Sequence, residues 1–332
     1  MIECVPIMKV FVTRAIAEKA LARVRQAAET EVWPEDRAIP REVLLEKVRG
    51  MAGLLCLLTD PIDGTLMDAA GVSLKVISQM AVGCDNIDVP AATVRRIPVG
   101  HTPGVLTDAT ADMAWALLMA AARRVAESDR YVRARRWKMW SPTLMLGTEV
   151  TGATLGIVGF GRIGAAVAKR ARGFDMRILY HSRTRRPELE ASLGVQCADF
   201  ETLLRESDFV SIHTPLSAET RRLFGEAQFK SMKPTAILIN TARGPIVDRA
   251  ALYHALKDGA IAQAALDVTD PEPIRPDDPL LELDNITIVP HIGSATVQTR
   301  EKMATMAAAN LIAGLRGERL PNCVNPAVYE NR

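Results

Sequence analysis

The sequence predicts an α/β protein with two doubly wound parallel sheets, one domain inserted into the other. Three observations predict it. Short apolar runs of strand length alternate with amphipathic helical stretches, the pattern of βαβ units. The alternation occurs as two series, separated by one long helical stretch and followed by another. The 332 residues suffice for roughly two domains of ~150 residues each.

In the first series, "KVFVT" (9–13), "GLLCLL" (53–58) and "LKVISQM" (74–80) read as strands. Helical stretches at 15–28, 41–49, 62–70 and 89–96 separate or follow them. A continuous helix is expected over 106–137, capped by Thr107 or Asp108, with an apolar face of Ala, Met and Leu. Six strand candidates follow, in "ATLGIV", "RILYHS", "FVSIHTP", "AILINTARG", "AQAALDV" and "ITIVPHIG". That is the strand count of a full dinucleotide-binding sheet. From Ala295 the tail opens with another long helix rich in Ala and Met. The simplest topology makes residues 1–102 and 294–332 one discontinuous, substrate-binding domain. Residues 103–293 form the inserted nucleotide domain, and both domains are Rossmann-like or flavodoxin-like.

Composition narrows the function classes. Apolar residues make up 48% and charged residues 24%, with a net charge of +2, so the cores are well stocked. A nucleic-acid partner, which calls for a broadly basic surface, is not expected. Five dispersed cysteines suit a reducing compartment, and five isolated histidines form no metal-binding spacing. No cleavable leader is apparent, and the most apolar helical stretch, 113–122, is too short to span a bilayer. A cytoplasmic location and no membrane partner are expected.

"GFGRIG", Gly159 to Gly164, follows one strand and opens a helix, the context in which GxGxxG signals a dinucleotide site. Gly159 makes the turn, Gly161 admits the pyrophosphate and Gly164 packs the helix on the strand. Phe160, Arg162 and Ile163 lie in the same loop, where free helix N–H groups favour phosphate. The alternative is a tight βα turn without a ligand.

His181 falls twenty-two residues after Gly159, at the end of the second strand. An NAD site usually carries an acid there; here stand Ser182, Arg183, Thr184, Arg185 and Arg186. Ser182, Arg183 and Thr184 can donate to a 2′-phosphate, and Arg185 or Arg186 adds charge. NADPH is therefore the expected coenzyme, with NADH used less efficiently. Arg183 is the expected main contact.

Four further residues follow strand candidates. Arg243 in "NTARGPIVD" could grip a carboxylate through two parallel hydrogen bonds. Asp267 and Glu272 in "LDVTDPEP" follow the next strand, and His291 in "VPHIGSAT" the last. A 2-oxo acid needs its carboxylate held, its carbonyl polarised and a proton delivered as hydride arrives. Arg243 can do the first two. Histidine, ordinarily titrating near ~6.5, can deliver the proton, and Glu272 would orient its ring.

With these motifs the whole chain resembles the D-isomer specific 2-hydroxyacid dehydrogenases, through "GFGRIG", "INTARGPIVD", "ALDVTDPEP" and "PHIGSAT" in order. Within that family it is most similar to the glyoxylate/hydroxypyruvate reductases, through "MKVFVTR", "GLLCLLTD", "LKVISQMAVGCDNID", "TPGVLTDATADMAWALL" and "NLIAGLRGE". The resemblance implies Arg243, Glu272 and His291 as the catalytic set. It implies Leu58, Val82, Gly83 and Ser294 as substrate contacts beside Arg243 and His291. Thr110, Thr214, Pro215, Thr220, Thr241, Ala242, Arg243, Asp267, His291 and Gly293 would join the glycine loop around the coenzyme.

The resemblance also implies a homodimer, in which Trp140, or alternatively Trp137, reaches the partner's site. The stretch "TLML" (143–146) after Trp140 is expected to pack against the partner subunit, with a part in closing the pocket as the alternative. Cys84 departs from the aromatic or aliphatic residue of many members, which alters the expected pocket floor. The implied reaction is NADPH-dependent reduction of glyoxylate and hydroxypyruvate to glycolate and D-glycerate. A reductase for 2-ketogluconate or another bulkier 2-oxo acid is the alternative, and a dinucleotide-regulated corepressor the more remote one.

Overall fold

The computed structural model describes residues 8–330. They divide into two compact units: the segments up to Leu106 and from Ala295 onward form one, Thr107–Ser294 the other. The divisions lie four residues and one residue later than the sequence boundaries: Pro103 to Leu106 goes with the first unit, and the second begins where its first helix starts.

The first unit opens with β1 (Lys9–Val12), α1 (Glu18–Ala27) and β2 (Glu29–Val32). Next come α2 (Arg41–Lys47), β3 (Gly53–Cys56), α3 (Gly64–Ala70), β4 (Val76–Gln79), α4 (Val89–Val94) and β5 (Val99–Gly100). Asp63 and Asp88 cap α3 and α4, accepting from the backbone N–H groups of Leu66 and Ala91. The strands pair in parallel in the order β2-β1-β3-β4-β5. Every residue of β3 and β4 is buried, as a parallel sheet covered on both faces requires.

The second unit starts with a departure from expectation. The helix foreseen over 106–137 is two helices, α5 (Thr107–Ala122) and α6 (Val125–Arg133), with Arg124 left-handed between them at φ 52°. The N–H of Thr148 donates to the Ala122 carbonyl at 2.8 Å, and a Cβ on Gly147 would lie 2.2 Å from that oxygen. A distant segment thus takes the carbonyl that would have continued the helix.

The second sheet alternates strands and helices: β6 (Thr154–Val158), α7 (Arg162–Ala171), β7 (Arg177–His181), α8 (Pro187–Leu193), β8 (Gln196–Cys197), α9 (Phe200–Glu206) and β9 (Phe209–Ile212). It continues through α10 (Glu226–Ser231), β10 (Ile237–Asn240), α11 (Arg249–Lys257), β11 (Gln263–Leu266) and β12 (Ile286–Ile288). All six expected strands are present, with β8 an unforeseen seventh. The order is β12-β11-β10-β9-β6-β7-β8, parallel throughout.

Alternate residues of these strands feed two cores. Leu155, Ile157, Phe209, Ile237 and Ile239 pack with α5 and α7, while Val210, Ile212, Leu238 and Leu266 pack on the other face. The strand order reverses between β6 and β9, which is where open α/β sheets hold ligands beyond their strand ends. The chain then returns through α12 (Val297–Leu315) to the first unit, where the Ser78 hydroxyl donates to the Ala307 carbonyl. Among the described residues no helix is long and apolar enough to cross a membrane.

Candidate active site

The glycine loop sits at the reversal point. Gly159 has φ +96°, and a Cβ there would lie 2.5 Å from the Thr214 nitrogen on the chain leaving β9. Only glycine fits both constraints. A Cβ on Gly164 would lie 2.3 Å from the Gly159 carbonyl, so that glycine lets α7 pack against the turn. A Cβ on Gly161 meets nothing within 4 Å, leaving open space beside the start of α7. No side chain caps that helix start, so its first N–H groups remain available to an anion.

The neighbouring loop positions divide. Arg162 is exposed and Ile163 packs against the core of α5 and α7. Phe160 is buried and stacked on Tyr180 with ring centroids 4.1 Å apart. Its side chain is therefore core, which leaves only its backbone for any contact with a ligand.

The end of β7 is tied to the same turn, because the Gly159 N–H donates to the His181 carbonyl at 2.8 Å. Ser182 is half-buried, whereas Arg183, Thr184, Arg185 and Arg186 are exposed. Arg185 grips Glu190 through Nε and Nη2 at 2.9 and 2.8 Å, and Tyr180 donates its hydroxyl to the same carboxylate at 2.5 Å. The Arg185 guanidinium, and after it Tyr180, hold the Glu190 carboxyl down to about 2. Burial and then Glu190 push the Tyr180 phenol up to about 12. Arg185, expected at the coenzyme, is thus already engaged by a carboxylate. Glu190, which the sequence reading missed, is its partner; an acid five residues beyond the arginine at the next helix start was the available signal. Arg183 lies in the field of Glu219, whose carboxyl is held below its ordinary value mainly by the Ser217 hydroxyl and more weakly by Arg183. Thr220 closes the turn after Thr214 and Pro215 by donating to the Pro215 carbonyl at 2.7 Å.

The ends of β10, β11 and β12 carry the remaining groups. Asn240, a second residue missed from sequence, shapes the turn after β10: its amide donates to the Arg243 carbonyl at 2.8 Å and accepts from the Ala242 N–H at 3.0 Å. An Asn at a strand end beside a turn is the sequence signal for such a role. The Arg243 guanidinium donates to the Ala242 carbonyl at 2.7 Å. Thr241 is buried, and its hydroxyl has no hydrogen-bond partner among the described residues.

A Cβ on Gly244 would lie 1.9 Å from the Thr269 carbonyl. The turn that bears Arg243 therefore lies directly against the loop that leads to Glu272. Asp267, buried at the end of β11, accepts from the Ile292 and Gly293 N–H groups at 2.6 and 2.8 Å. Its backbone carbonyl accepts from the His291 N–H at 2.9 Å. Burial raises the Asp267 carboxyl above its ordinary range despite those donors. This clamp holds His291 in a left-handed conformation, φ 52°, and its Nδ1 bonds the Glu272 carboxylate. Thr110 of α5 borders the same turn, with its methyl 3.6 Å from where a Gly293 Cβ would stand. Ser294, half-buried, follows directly.

In the first unit, Leu58 is half-buried beyond β3, and Val82, Gly83 and Cys84 follow β4, with Val82 exposed. In the second unit, Trp137, Met139, Trp140 and Leu146 are exposed beyond α6. Among the described residues no group of three or more His, Cys, Asp or Glu side chains could hold a metal ion.

Residues 115–293 match the family described as D-isomer specific 2-hydroxyacid dehydrogenase, NAD binding domain. Over its length the chain is similar to the glyoxylate reductase of Korarchaeum cryptofilum, 55% identical with 98% of each chain covered. A crystal structure of a Thermus thermophilus protein superposes with a TM-score of 0.90 at 50% identity, covering 96% of this chain and all of that one. An NADPH-dependent glyoxylate/hydroxypyruvate reductase from Sinorhizobium meliloti, solved in complex with NADP and malonate, gives a TM-score of 0.83 at 31% identity, covering 98% and 99% of the two chains.

Proposed function

Because this chain belongs to the D-isomer specific 2-hydroxyacid dehydrogenase family, we propose that it reduces glyoxylate and hydroxypyruvate with NADPH, giving glycolate and D-glycerate. The carrying observation is the Glu272–His291 pair, set on a turn that Asp267 clamps. The glyoxylate reductase name of a relative 55% identical supports the first substrate. The name of the Sinorhizobium meliloti neighbour supports hydroxypyruvate and NADPH.

The residues fit the coenzyme. Gly161 leaves room where a pyrophosphate would approach, the start of α7 is uncapped, and the Thr241 hydroxyl is buried without a partner among the described residues. Gly159 to Gly164, Thr214, Pro215, Thr220, Thr241, Ala242, Asp267 and Gly293, with Thr110, would hold it. Ser182, Arg183 and Thr184 would read the 2′-phosphate. When bound, the reduced coenzyme supplies the hydride equivalent that the 2-oxo carbon takes up.

The remaining work falls to this chain's side chains. Arg243 holds the substrate carboxylate and polarises the carbonyl. The N–H groups of Val82 and Gly83, in the first unit, are the further donors proposed for a 2-oxo acid carboxylate. With Nδ1 of His291 bound to Glu272, Nε2 is the ring nitrogen left to pass a proton to the carbonyl oxygen. The Glu272 carboxylate orients the ring and offsets the imidazolium charge. Leu58, Cys84 and Trp140 of a partner copy bound the space around the substrate's second carbon substituent, in a homodimer that covers the exposed segment from Trp137 to Leu146.

Initial rates with glyoxylate, hydroxypyruvate, pyruvate and 2-ketogluconate, each with NADPH and NADH, test the proposal. The two small acids with NADPH should give the highest kcat/KM. A preference for 2-ketogluconate, or for NADH at equal concentration, would overturn the corresponding part.

A further inference from the structure

The loops after β3 and β4, which carry Leu58 and Val82–Gly83, are joined by side chains that none of the assigned roles uses. The Asn86 amide donates across to the Leu57 carbonyl at 3.0 Å and to the Asp60 carbonyl at 2.8 Å. Its Oδ1 accepts from the Gln79 amide at 2.6 Å. The same Gln79 nitrogen donates to the Gly83 carbonyl at 3.2 Å, and Gln79 Oε1 accepts from the Cys56 thiol at 3.1 Å. Asp60 closes the first loop, accepting from the Leu57 N–H at 2.8 Å and the Thr13 hydroxyl at 2.5 Å. Gln79 and Asp60 are buried, so these bonds act in a low-dielectric setting where partners are costly to lose.

The pattern is directional. The Gly83 carbonyl is held by Gln79, and the Val82 carbonyl lies 3.0 Å from the His101 ring. Among the described residues the N–H groups of Val82 and Gly83 donate to no acceptor. Pinned carbonyls on one side leave two backbone donors free on the other.

We infer that Asn86, acting through Gln79, is a positioning residue that fixes the Val82–Gly83 donors at a set distance from Leu58 and so sets both substrate affinity and the exclusion of bulky 2-oxo acids. The inference rests on the assignment of Val82 and Gly83 to the substrate carboxylate. Asn86 touches no substrate atom in this scheme. Its loss should loosen one loop against the other and leave the proton-transfer pair and the coenzyme site of the second unit intact.

Asn86→Asp keeps the shape but removes both N–H donors and faces a carboxylate to two carbonyls. The glyoxylate KM should rise about tenfold or more with kcat within about threefold. NADPH affinity by fluorescence titration should not change, and selectivity for glyoxylate over 2-ketogluconate should fall. Gln79→Met, which cuts the link to Gly83 at similar volume, should move KM and selectivity the same way. Unchanged KM and selectivity in either folded variant overturn the inference, even if the melting temperature drops.

Hydrogen exchange on the wild-type enzyme with bound coenzyme supplies a measurement that needs no variant. Oxamate should slow exchange in segments 57–60 and 82–86 together, and protection of only one of them overturns the inference. If the wild type turns over none of the 2-oxo acids, the proposed function itself has failed and this inference falls with it.

Discussion

Nδ1 of His291 and the carboxylate of Glu272 share one hydrogen bond, and the backbone of the same histidine is anchored to Asp267. The ring is therefore fixed at both ends, by an acid on its edge and by a clamp on its main chain. His291→Ala should lower kcat about 10³-fold, the scale of a lost general acid. Glu272→Gln should cost less, roughly ten- to a hundredfold, because an amide still accepts from Nδ1–H but carries no charge. Coenzyme affinity, measured by fluorescence titration, should stay at the wild-type value in both. A His291→Ala enzyme with undiminished turnover would remove that residue from the mechanism.

Arg243 stands on a turn that Asn240 shapes and that the Thr269 carbonyl buttresses through Gly244. A lysine there keeps the charge but loses the planar fork. Arg243→Lys should lower kcat/KM for glyoxylate at least about tenfold, the value of one charge-assisted hydrogen bond. Steady-state kinetics on a variant with wild-type circular dichroism decides it. Near-normal turnover argues against carboxylate gripping.

Gly161 separates binding from folding. Its backbone, φ −84° and ψ −159°, suits any residue, and an added Cβ meets no atom within 4 Å. Gly161→Ala should therefore leave the melting temperature unchanged or raise it slightly. It should also weaken NADPH binding about tenfold or more, since the new methyl occupies the pyrophosphate's approach. Gly164→Ala, which forces a methyl to 2.3 Å from the Gly159 carbonyl, should instead lose stability. Calorimetric titration beside thermal melts distinguishes the two, and tight NADPH binding by Gly161→Ala would refute the loop assignment.

The basic segment after β7 should not act as three equivalent arginines. Arg185 already spends its fork on Glu190, whereas Arg183 is exposed nearer to Glu219. Arg183→Ala should lower the ratio of NADPH to NADH kcat/KM about tenfold, and Arg185→Ala should change it much less. Direct titration with 2′,5′-ADP against 5′-AMP gives a readout independent of turnover. The opposite ranking of the two variants would return Arg185 to the coenzyme.

Much of this architecture was legible because the main strands are short, largely buried apolar runs. Arg243, Asp267 and His291 all stand shortly after such runs, so strand ends and site residues could be read together. The unforeseen strands lack that signature. β2 is "ETEV" with no fully buried position, β8 is two exposed residues, and β5 is two residues long. The break at Arg124 was illegible for another reason: the local residues all favour helix, and the Thr148 N–H that takes the Ala122 carbonyl comes from far along the chain. The same applies to Asn86, whose partners Leu57 and Asp60 lie on another loop.

His213 offers a test of how the second sheet tolerates acid. It follows β9 against the Gly159 turn, its Nε2 is 2.8 Å from the Ser211 hydroxyl, and burial holds its pKa down to about 3. The unfolded chain binds a proton at this residue near pH ~6.5, and the folded chain only near pH 3. Between those values the unfolded state holds more protons, so stability rises with pH through the window and is lost as pH falls through it. Above about pH 7 both states are neutral there and the residue adds no slope. The contribution approaches about 1.4 kcal/mol per pH unit, one proton's worth, in the middle of the window. His213→Gln keeps a hydrogen-bonding partner for Ser211 but cannot titrate. Urea unfolding from about pH 7 to about pH 4 should therefore show a shallower acid decline in the variant, with the two curves parallel above about pH 7. Curves that stay parallel throughout that range would mean that the His213 proton equilibrium does not change on folding.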